Sequence, residues 1–308
     1  MMNPQELAGI VVPLITPLHN DETVDLPALR KLINYVIEGG VHALFPMGTT
    51  GEFARLDPKD RSKIIEVTVN ETRKRVPVLV GISDTGLHRV LENLKTTEEI
   101  GGDAVVVSPP YYYPTHSDDE IVAFYSEVAS HSSLPVILYN IPITCGSGIS
   151  LSALDKIFTQ NKNVIGIKDS SGNLNYLLGI IQKYGNNPDF RIFVGDEALS
   201  LQGLTAGAHG IVPSLANVFP RIFVSLFKAF QNGDLQFAEE LAGQIDEINK
   251  INLYSNSWMS AIVWRKVALS QLDICGEKVT EPYIPVSNAV RKDISRLIQT
   301  YSEHYGCK

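Results

Sequence analysis

Long hydrophobic runs are missing from this chain. Its uninterrupted apolar stretches are strand-sized, about 4 to 8 residues, far short of the roughly 20 needed to cross a bilayer as a helix. Met1 to Glu6 also lacks a basic stretch followed by an apolar one, the pattern of an export signal, so the expectation is an unexported, cytoplasmic protein with no membrane partner. Basic residues are outnumbered, 26 against 34 acidic ones, and the net charge of -8 leaves no global positive field to attract nucleic acid. Cysteine is scarce: Cys145, Cys275 and Cys307 are an odd number without CxxC spacing, which fits a reducing compartment and argues against a disulfide framework or structural zinc. The seven histidines stand singly, with no HxxxH pair, and no protein-bound metal is expected. What remains is ordinary globular composition, 44% apolar and 19% charged over 308 residues, enough to bury one large core or two modest ones.

Short apolar, β-rich runs alternate about eight times with segments whose apolar residues recur at three and four. The runs are Ile10 to Ile15, Ala43 to Met47, Val78 to Ile82, Ala104 to Val107, Val136 to Tyr139, Val164 to Lys168, Ile192 to Val194 and Gly210 to Val212. Helical patterns between them include Leu26 to Glu38, Lys59 to Lys74, His88 to Ile100, Asp118 to Ser130 and Leu151 to Phe158. Strand starts roughly 20 to 35 residues apart match one βα unit, and eight such units close a barrel rather than form an open sheet. The predicted fold class is therefore α/β, a (β/α)8 TIM barrel. After the eighth run, Phe219 to Phe230, Leu235 to Ile251, Trp258 to Leu269 and Asn288 to Tyr301 read as successive helices without intervening strands. The expected organisation is a barrel over residues 1–230 with a C-terminal helical extension over 231–308 packed on it.

Lys168 closes the apolar strand Val164-Ile-Gly-Ile-Lys, and no other lysine stands at a strand end. With period-two alternation it shares a face with Val164 and Gly166, and Gly166 is expected to leave room beside its stem. Burial disfavours the ammonium form of an amine, which is the condition for a nucleophilic lysine that condenses with a carbonyl. The competing reading is a lysine that marks the strand's exit to solvent. Tyr139 ends the preceding strand, where a buried phenol needs a hydrogen-bond partner and can shuttle a proton, or can simply be a core aromatic. Gly48-Thr-Thr-Gly-Glu follows the second strand, and its hydroxyls and backbone N–H groups suit a carboxylate. Tyr111, Tyr112 and Tyr113 follow the fourth strand after two prolines, a stiff loop that could equally be an interface patch.

Taken in order, Gly48-Thr-Thr-Gly-Glu, Pro110-Tyr-Tyr, Tyr139-Asn-Ile-Pro and Gly166-Ile-Lys-Asp-Ser-Ser-Gly resemble the motifs of the dihydrodipicolinate synthase and N-acetylneuraminate lyase family, over essentially the whole chain. The resemblance implies a class I, pyruvate-dependent lyase or synthase without a cofactor, generally a homotetramer. It implies that Lys168 forms an imine with pyruvate or another 2-oxo acid and that Tyr139 is the acid–base phenol. Thr49 and Thr50 would bind the pyruvyl carboxylate beside Gly48, with Thr49 also holding the phenol in line, and Tyr112 would complete a hydroxyl relay from a neighbouring subunit.

One departure narrows the reaction. In the synthase branch an arginine stands two residues after Tyr-Asn-x-Pro and clamps the carboxylate of aspartate semialdehyde. Here that position is Thr144, which cannot supply bidentate charged pairing. After the seventh strand, Gly195-Asp196-Glu197 offers acceptors for hydroxyls, or a capped helix start, and Ser214 after the eighth strand is either a substrate contact or a turn residue. Cys145 reads as a small packing residue rather than a nucleophile. These features favour cleavage or synthesis of a 2-keto-3-deoxy sugar acid or related hydroxylated 2-oxo acid, with pyruvate and a small aldehyde as partners. The alternatives are 4-hydroxy-tetrahydrodipicolinate synthase and a dehydratase using the same lysine adduct. A non-catalytic 2-oxo acid sensor and a phosphate-handling barrel are the readings from other classes, and the acids at 196 and 197 disfavour the latter.

Overall fold

A computed structural model describes residues 3–115, 117–254 and 260–306. Eight strands run β1 (Gly9–Pro13), β2 (Ala43–Phe45), β3 (Leu79–Gly81), β4 (Ala104–Val107), β5 (Val136–Asn140), β6 (Val164–Asp169), β7 (Arg191–Val194) and β8 (Gly210–Ile211). Between and after them lie α1 (Leu26–Glu38), α2 (Pro58–Thr72), α3 (Leu87–Ile100), α4 (Asp118–His131), α5 (Pro142–Cys145) and α6 (Leu151–Gln160). Then come α7 (Leu174–Tyr184), α8 (Ser200–Ala206), α9 (Pro220–Gln231), α10 (Leu235–Asn249), α11 (Ser260–Gln271) and α12 (Asn288–Tyr305). All eight expected strands are present, and the βα alternation is the predicted one. The expected helix from Trp258 begins outside the described residues, and Cys307 lies outside them too.

Helix starts are set locally. The Asp25 carboxylate accepts from the Ala28 N–H at 3.0 Å, and Pro27 sits in the first turn of α1, where its missing N–H costs nothing. Ser117 and Glu120 form a reciprocal capping box at α4. The acids at 118, 119 and 120 lie in that helix's first turn, where its dipole favours them.

The chain falls into two compact units. The first comprises Met1–Gly9 and Pro77–Val212. In it β3 to β8 lie side by side in chain order, all parallel. Every residue of β4, β5, β6 and β7 is buried, which is why these segments read as continuous Val/Ile/Leu runs rather than alternating ones. The second unit comprises Ile10–Val76 and Pro213–Lys308. It contains the parallel pairing of β1 with β2, Val11 opposite Ala43. In it α1 packs on α2, and of the C-terminal helices α10 and α12 pack on α9 while α11 packs on α12. Among the described residues, no helix is long and apolar enough to cross a membrane.

Two histidines act as acceptors for strand N–H groups: His42 Nδ1 accepts from Ile10 in the second unit, and His209 Nδ1 from Ile192 in the first, each at 3.0 Å. Burial, with help from Arg191, pushes the His209 imidazole from 6.5 down to about 4. The native state therefore resists a proton that the unfolded chain takes up between those values, so stability rises with pH across this window and falls as pH drops from about 6.5 towards about 4. The slope is at most about 1.4 kcal/mol per pH unit, reduced by the solvent that reaches this half-buried ring. Urea unfolding at several pH values should show this slope in the wild type and a flatter profile in His209→Gln. Parallel profiles would remove His209 as the cause.

Candidate active site

The end of β6 places Lys168 opposite Tyr139 of β5 and Phe193 of β7. In parallel strands such paired residues project to the same side of the sheet. Lys168 is only 6% exposed and Tyr139 4%, so the lysine does not mark an exit to solvent. The Lys168 Nζ lies 3.9 Å from the centre of the Tyr139 ring. An ammonium there meets the negative face of the aromatic ring.

Space for the lysine comes from a glycine other than the one expected. A Cβ on Gly166 would lie 2.3 Å from the Arg191 carbonyl oxygen, so the absence of a side chain there admits the β7 backbone. A Cβ on Gly195 would lie 2.9 Å from Lys168 Cε and 2.0 Å from Ser170 Oγ. Gly195 is therefore the residue that leaves the lysine its room.

Two residues not singled out for chemistry in the sequence hold this strand end. Asn140 closes β5 and Asp169 closes β6, directly opposite one another. Asn140 Nδ2 donates to Asp169 Oδ1 at 2.7 Å, and the same carboxylate accepts from the Ser171 N–H and hydroxyl at 3.2 and 3.0 Å. Asn140 Oδ1 in turn accepts from Ile149 N at 3.0 Å, tying the far end of the 141–149 loop to the lysine strand. Burial pushes the Asp169 carboxyl above its ordinary value, against the pull of these hydrogen bonds. The main chain continues the clamp: Ser170 N donates to Asn140 O at 2.8 Å and Gly195 N to Asp169 O at 2.7 Å. The signal available in the sequence was a polar residue ending each of two adjacent apolar strands.

The remaining expected residues lie on loops of both units. In the 141–149 loop, Thr144 is exposed and its hydroxyl donates to Ile141 O at 3.2 Å. Neighbouring Cys145 is buried, and burial pushes its thiol pKa up, which suits packing and not nucleophilic attack. After β7, Asp196 Oδ1 accepts from Ala198 N at 3.1 Å and caps the short turn Glu197–Leu199, where Glu197 is half-buried. After β4, Tyr112 is 78% exposed in a left-handed backbone conformation, φ 77°, with its ring against Tyr113. The others belong to the second unit. Gly48 precedes the turn Thr49–Gly51, in which Thr49 and Thr50 are half-buried and Thr16 Oγ donates to Gly51 O at 2.7 Å. Ser214 opens the turn Ser214–Asn217, and Asn217 Nδ2 donates to Ser214 O and Pro13 O, both at 2.9 Å. Among the described residues, no three His, Cys, Asp or Glu side chains stand together as a metal site.

The dihydrodipicolinate synthetase family profile matches residues 6–301. The chain belongs to this family. A DapA-like lyase of Pyrococcus horikoshii is 37% identical over 262 residues, 85% of this chain and 90% of that one. The 4-hydroxy-tetrahydrodipicolinate synthase of Azobacteroides pseudotrichonymphae is 31% identical over 295 residues, 95% of this chain and 96% of that one. Among solved structures, dihydrodipicolinate synthase from Bacteroides thetaiotaomicron superposes with a TM-score of 0.91 at 36% identity, covering 97% of this chain and all of that chain. YagE of Escherichia coli K12, a prophage protein of the dihydrodipicolinic acid synthase family solved with pyruvate, gives 0.89 at 26% identity, covering 96% and 99%. As a member of the dihydrodipicolinate synthetase family the chain is a (β/α)8 barrel enzyme with C-terminal helices, of the class I lyase and aldolase type.

Proposed function

We propose that this enzyme forms a Schiff base on Lys168 and cleaves, or makes, a 2-keto-3-deoxy sugar acid or related hydroxylated 2-oxo acid. The observation that carries the reading is the buried Lys168 amine, seated over the Tyr139 ring in a slot left by Gly195. In the cleavage direction the amine adds to the 2-oxo carbon and water leaves, giving an imine whose protonated nitrogen is an electron sink. Tyr139, having given its phenol proton to the departing water, takes the proton of the C4 hydroxyl, the C3–C4 bonding pair moves towards the nitrogen, and the aldehyde departs from the enamine. Protonation at C3 and hydrolysis release pyruvate and restore the amine. Synthesis runs the same steps backwards. Thr49 and Thr50 are proposed to hold the pyruvyl carboxylate, with Thr49 also keeping the phenol in line. Exposed Tyr112 is proposed to complete the proton relay of a neighbouring subunit, so that the active form is a homo-oligomer, a tetramer.

For the second substrate, Gly195, Asp196, Glu197 and Ser214 are proposed to receive the hydroxylated chain, with Thr144 at the position where the synthase branch carries its arginine. A threonine hydroxyl already donating to Ile141 O offers no charged clamp for a second carboxylate, which supports a neutral, hydroxylated aldehyde. The synthase reading keeps its own support in the names of the Azobacteroides and Bacteroides relatives.

Borohydride in the presence of pyruvate is expected to leave an N-carboxyethyl adduct on the peptide carrying Lys168. A panel of 2-keto-3-deoxy sugar acids is then expected to contain a compound from which pyruvate is released. No adduct would overturn the Schiff-base reading. An adduct with turnover only on aspartate semialdehyde plus pyruvate would assign the synthase, and a dehydrated 2-oxo acid formed without aldehyde release would assign the dehydratase.

A further inference from the structure

Glu52 and Lys266 form an ion pair at 2.7 Å in which both side chains are 0% exposed. A buried pair of this kind contributes little to stability over apolar side chains of similar volume, because desolvation cancels most of the attraction. Its presence calls for a reason other than stability, and its position supplies one. Glu52 is the last residue of Gly48-Thr-Thr-Gly-Glu, directly after the turn Thr49–Gly51, and its backbone N–H closes that turn on Thr49 O at 3.0 Å. It does so in the left-handed region, φ 58°, a conformation that a side chain adopts at a cost unless something holds it there.

What holds it comes from the C-terminal part of the same unit. Lys266 of α11 reaches Glu52 Oε1 and also donates to Lys278 O at 2.7 Å. The Thr280 N–H and hydroxyl both donate to Glu52 Oε2, at 2.8 and 2.7 Å. Arg55, in the next turn, donates to Thr280 O and Glu281 O at 3.3 and 3.1 Å. The carboxylate is thus gripped on both oxygens by residues more than two hundred positions away. Burial lowers the Lys266 ammonium pKa, and the Glu52 charge opposes that shift.

We infer that Glu52, Lys266 and Thr280 are positioning residues for pyruvate binding: they fix the Thr49–Thr50 turn in the shape that receives a carboxylate, which gives the C-terminal helical region a part in substrate affinity. This rests on the reading of Thr49 and Thr50 as the carboxylate-binding pair. Relaxing the turn weakens recognition of the carboxylate while leaving condensation of the amine with a ketone intact.

The test compares two probes by borohydride trapping on Lys168: pyruvate, and acetone, a methyl ketone without a carboxylate. The double variant Glu52→Gln/Lys266→Met removes both charges at once, so no buried charge is stranded, and near-UV circular dichroism reports its packing. Its half-saturating pyruvate concentration is expected to rise roughly 10- to 100-fold, the scale on which ångström-level misplacement acts, while that for acetone stays at the wild-type value. Thr280→Val keeps the ion pair and cuts one tether, so it serves if the double variant does not fold. It is expected to move pyruvate alone and by less, and Thr280→Ser is expected to restore wild-type behaviour. Folded variants in which neither probe shifts, or in which both shift together, overturn the inference. A wild type that traps neither probe overturns the Schiff-base reading instead.

Discussion

Lys168→Met is expected to eliminate the pyruvate adduct and reduce turnover by roughly 10⁴-fold or more, because without the amine neither the imine nor the enamine can form. Methionine keeps an unbranched stem in the slot beside Gly195, where an added Cβ would come within 2.9 Å of the lysine Cε, so packing is preserved. It also removes a buried amine without leaving a cavity of the size alanine would create. The thermal midpoint should therefore stay near that of the wild type, which separates chemical loss from unfolding. Borohydride with pyruvate, peptide mass analysis and turnover on the active sugar acid together provide the check. A folded variant that keeps a tenth of the activity would show that the carbonyl is activated in some other way.

How much of this was legible in the sequence depends on how local each signal is. The limits of α1, Leu26 and Glu38, can be read directly because an Asp cap and a Pro in the first turn coincide with strong amphipathic spacing. β6 is read to within one residue, Val164 to Lys168 against Val164–Asp169, since a parallel strand buried on both faces is a nearly continuous apolar run. The short α8 lacks a side-chain cap, and α5 is a four-residue turn starting at Pro142, so neither stands out by period. The lysine is legible from its place on the strand, but alternation along that strand points to Gly166 for its room, because it cannot show which backbone lies beside a missing side chain. Nor can it give the pairing of Tyr139 with Lys168, since the register between β5 and β6 shifts near Val136. The Asn140–Asp169 clamp needs that register to be known. The Glu52–Lys266–Thr280 cluster joins residues up to 228 positions apart, a distance at which sequence spacing carries no information. The threonine pair is legible only through the ordered motifs, because neither spacing nor period marks a carboxylate-binding turn.

Tyr139→Phe separates the two jobs assigned to this strand pair. Phenylalanine fills the same volume at the end of β5 and keeps the aromatic ring whose centre lies 3.9 Å from the Lys168 Nζ, so the amine retains its surroundings. What disappears is the phenol oxygen, and with it the group proposed to take the C4 hydroxyl proton and return a proton along the path. A positioned acid–base side chain contributes about 10² to 10⁴ in rate, and turnover on the active sugar acid is expected to fall by that factor. Trapping by pyruvate and borohydride should still reach completion on Lys168, because imine formation needs the amine and proceeds, more slowly, with water carrying the proton. The split between an intact adduct and a lost turnover is the diagnostic result. If turnover stays within about threefold of wild type, a span too small for the loss of general acid–base catalysis, the phenol is only a core aromatic and another group moves the proton. If the adduct itself is lost while the protein remains folded, Tyr139 acts on the amine before any bond in the substrate breaks, and the order of steps proposed for it must be revised.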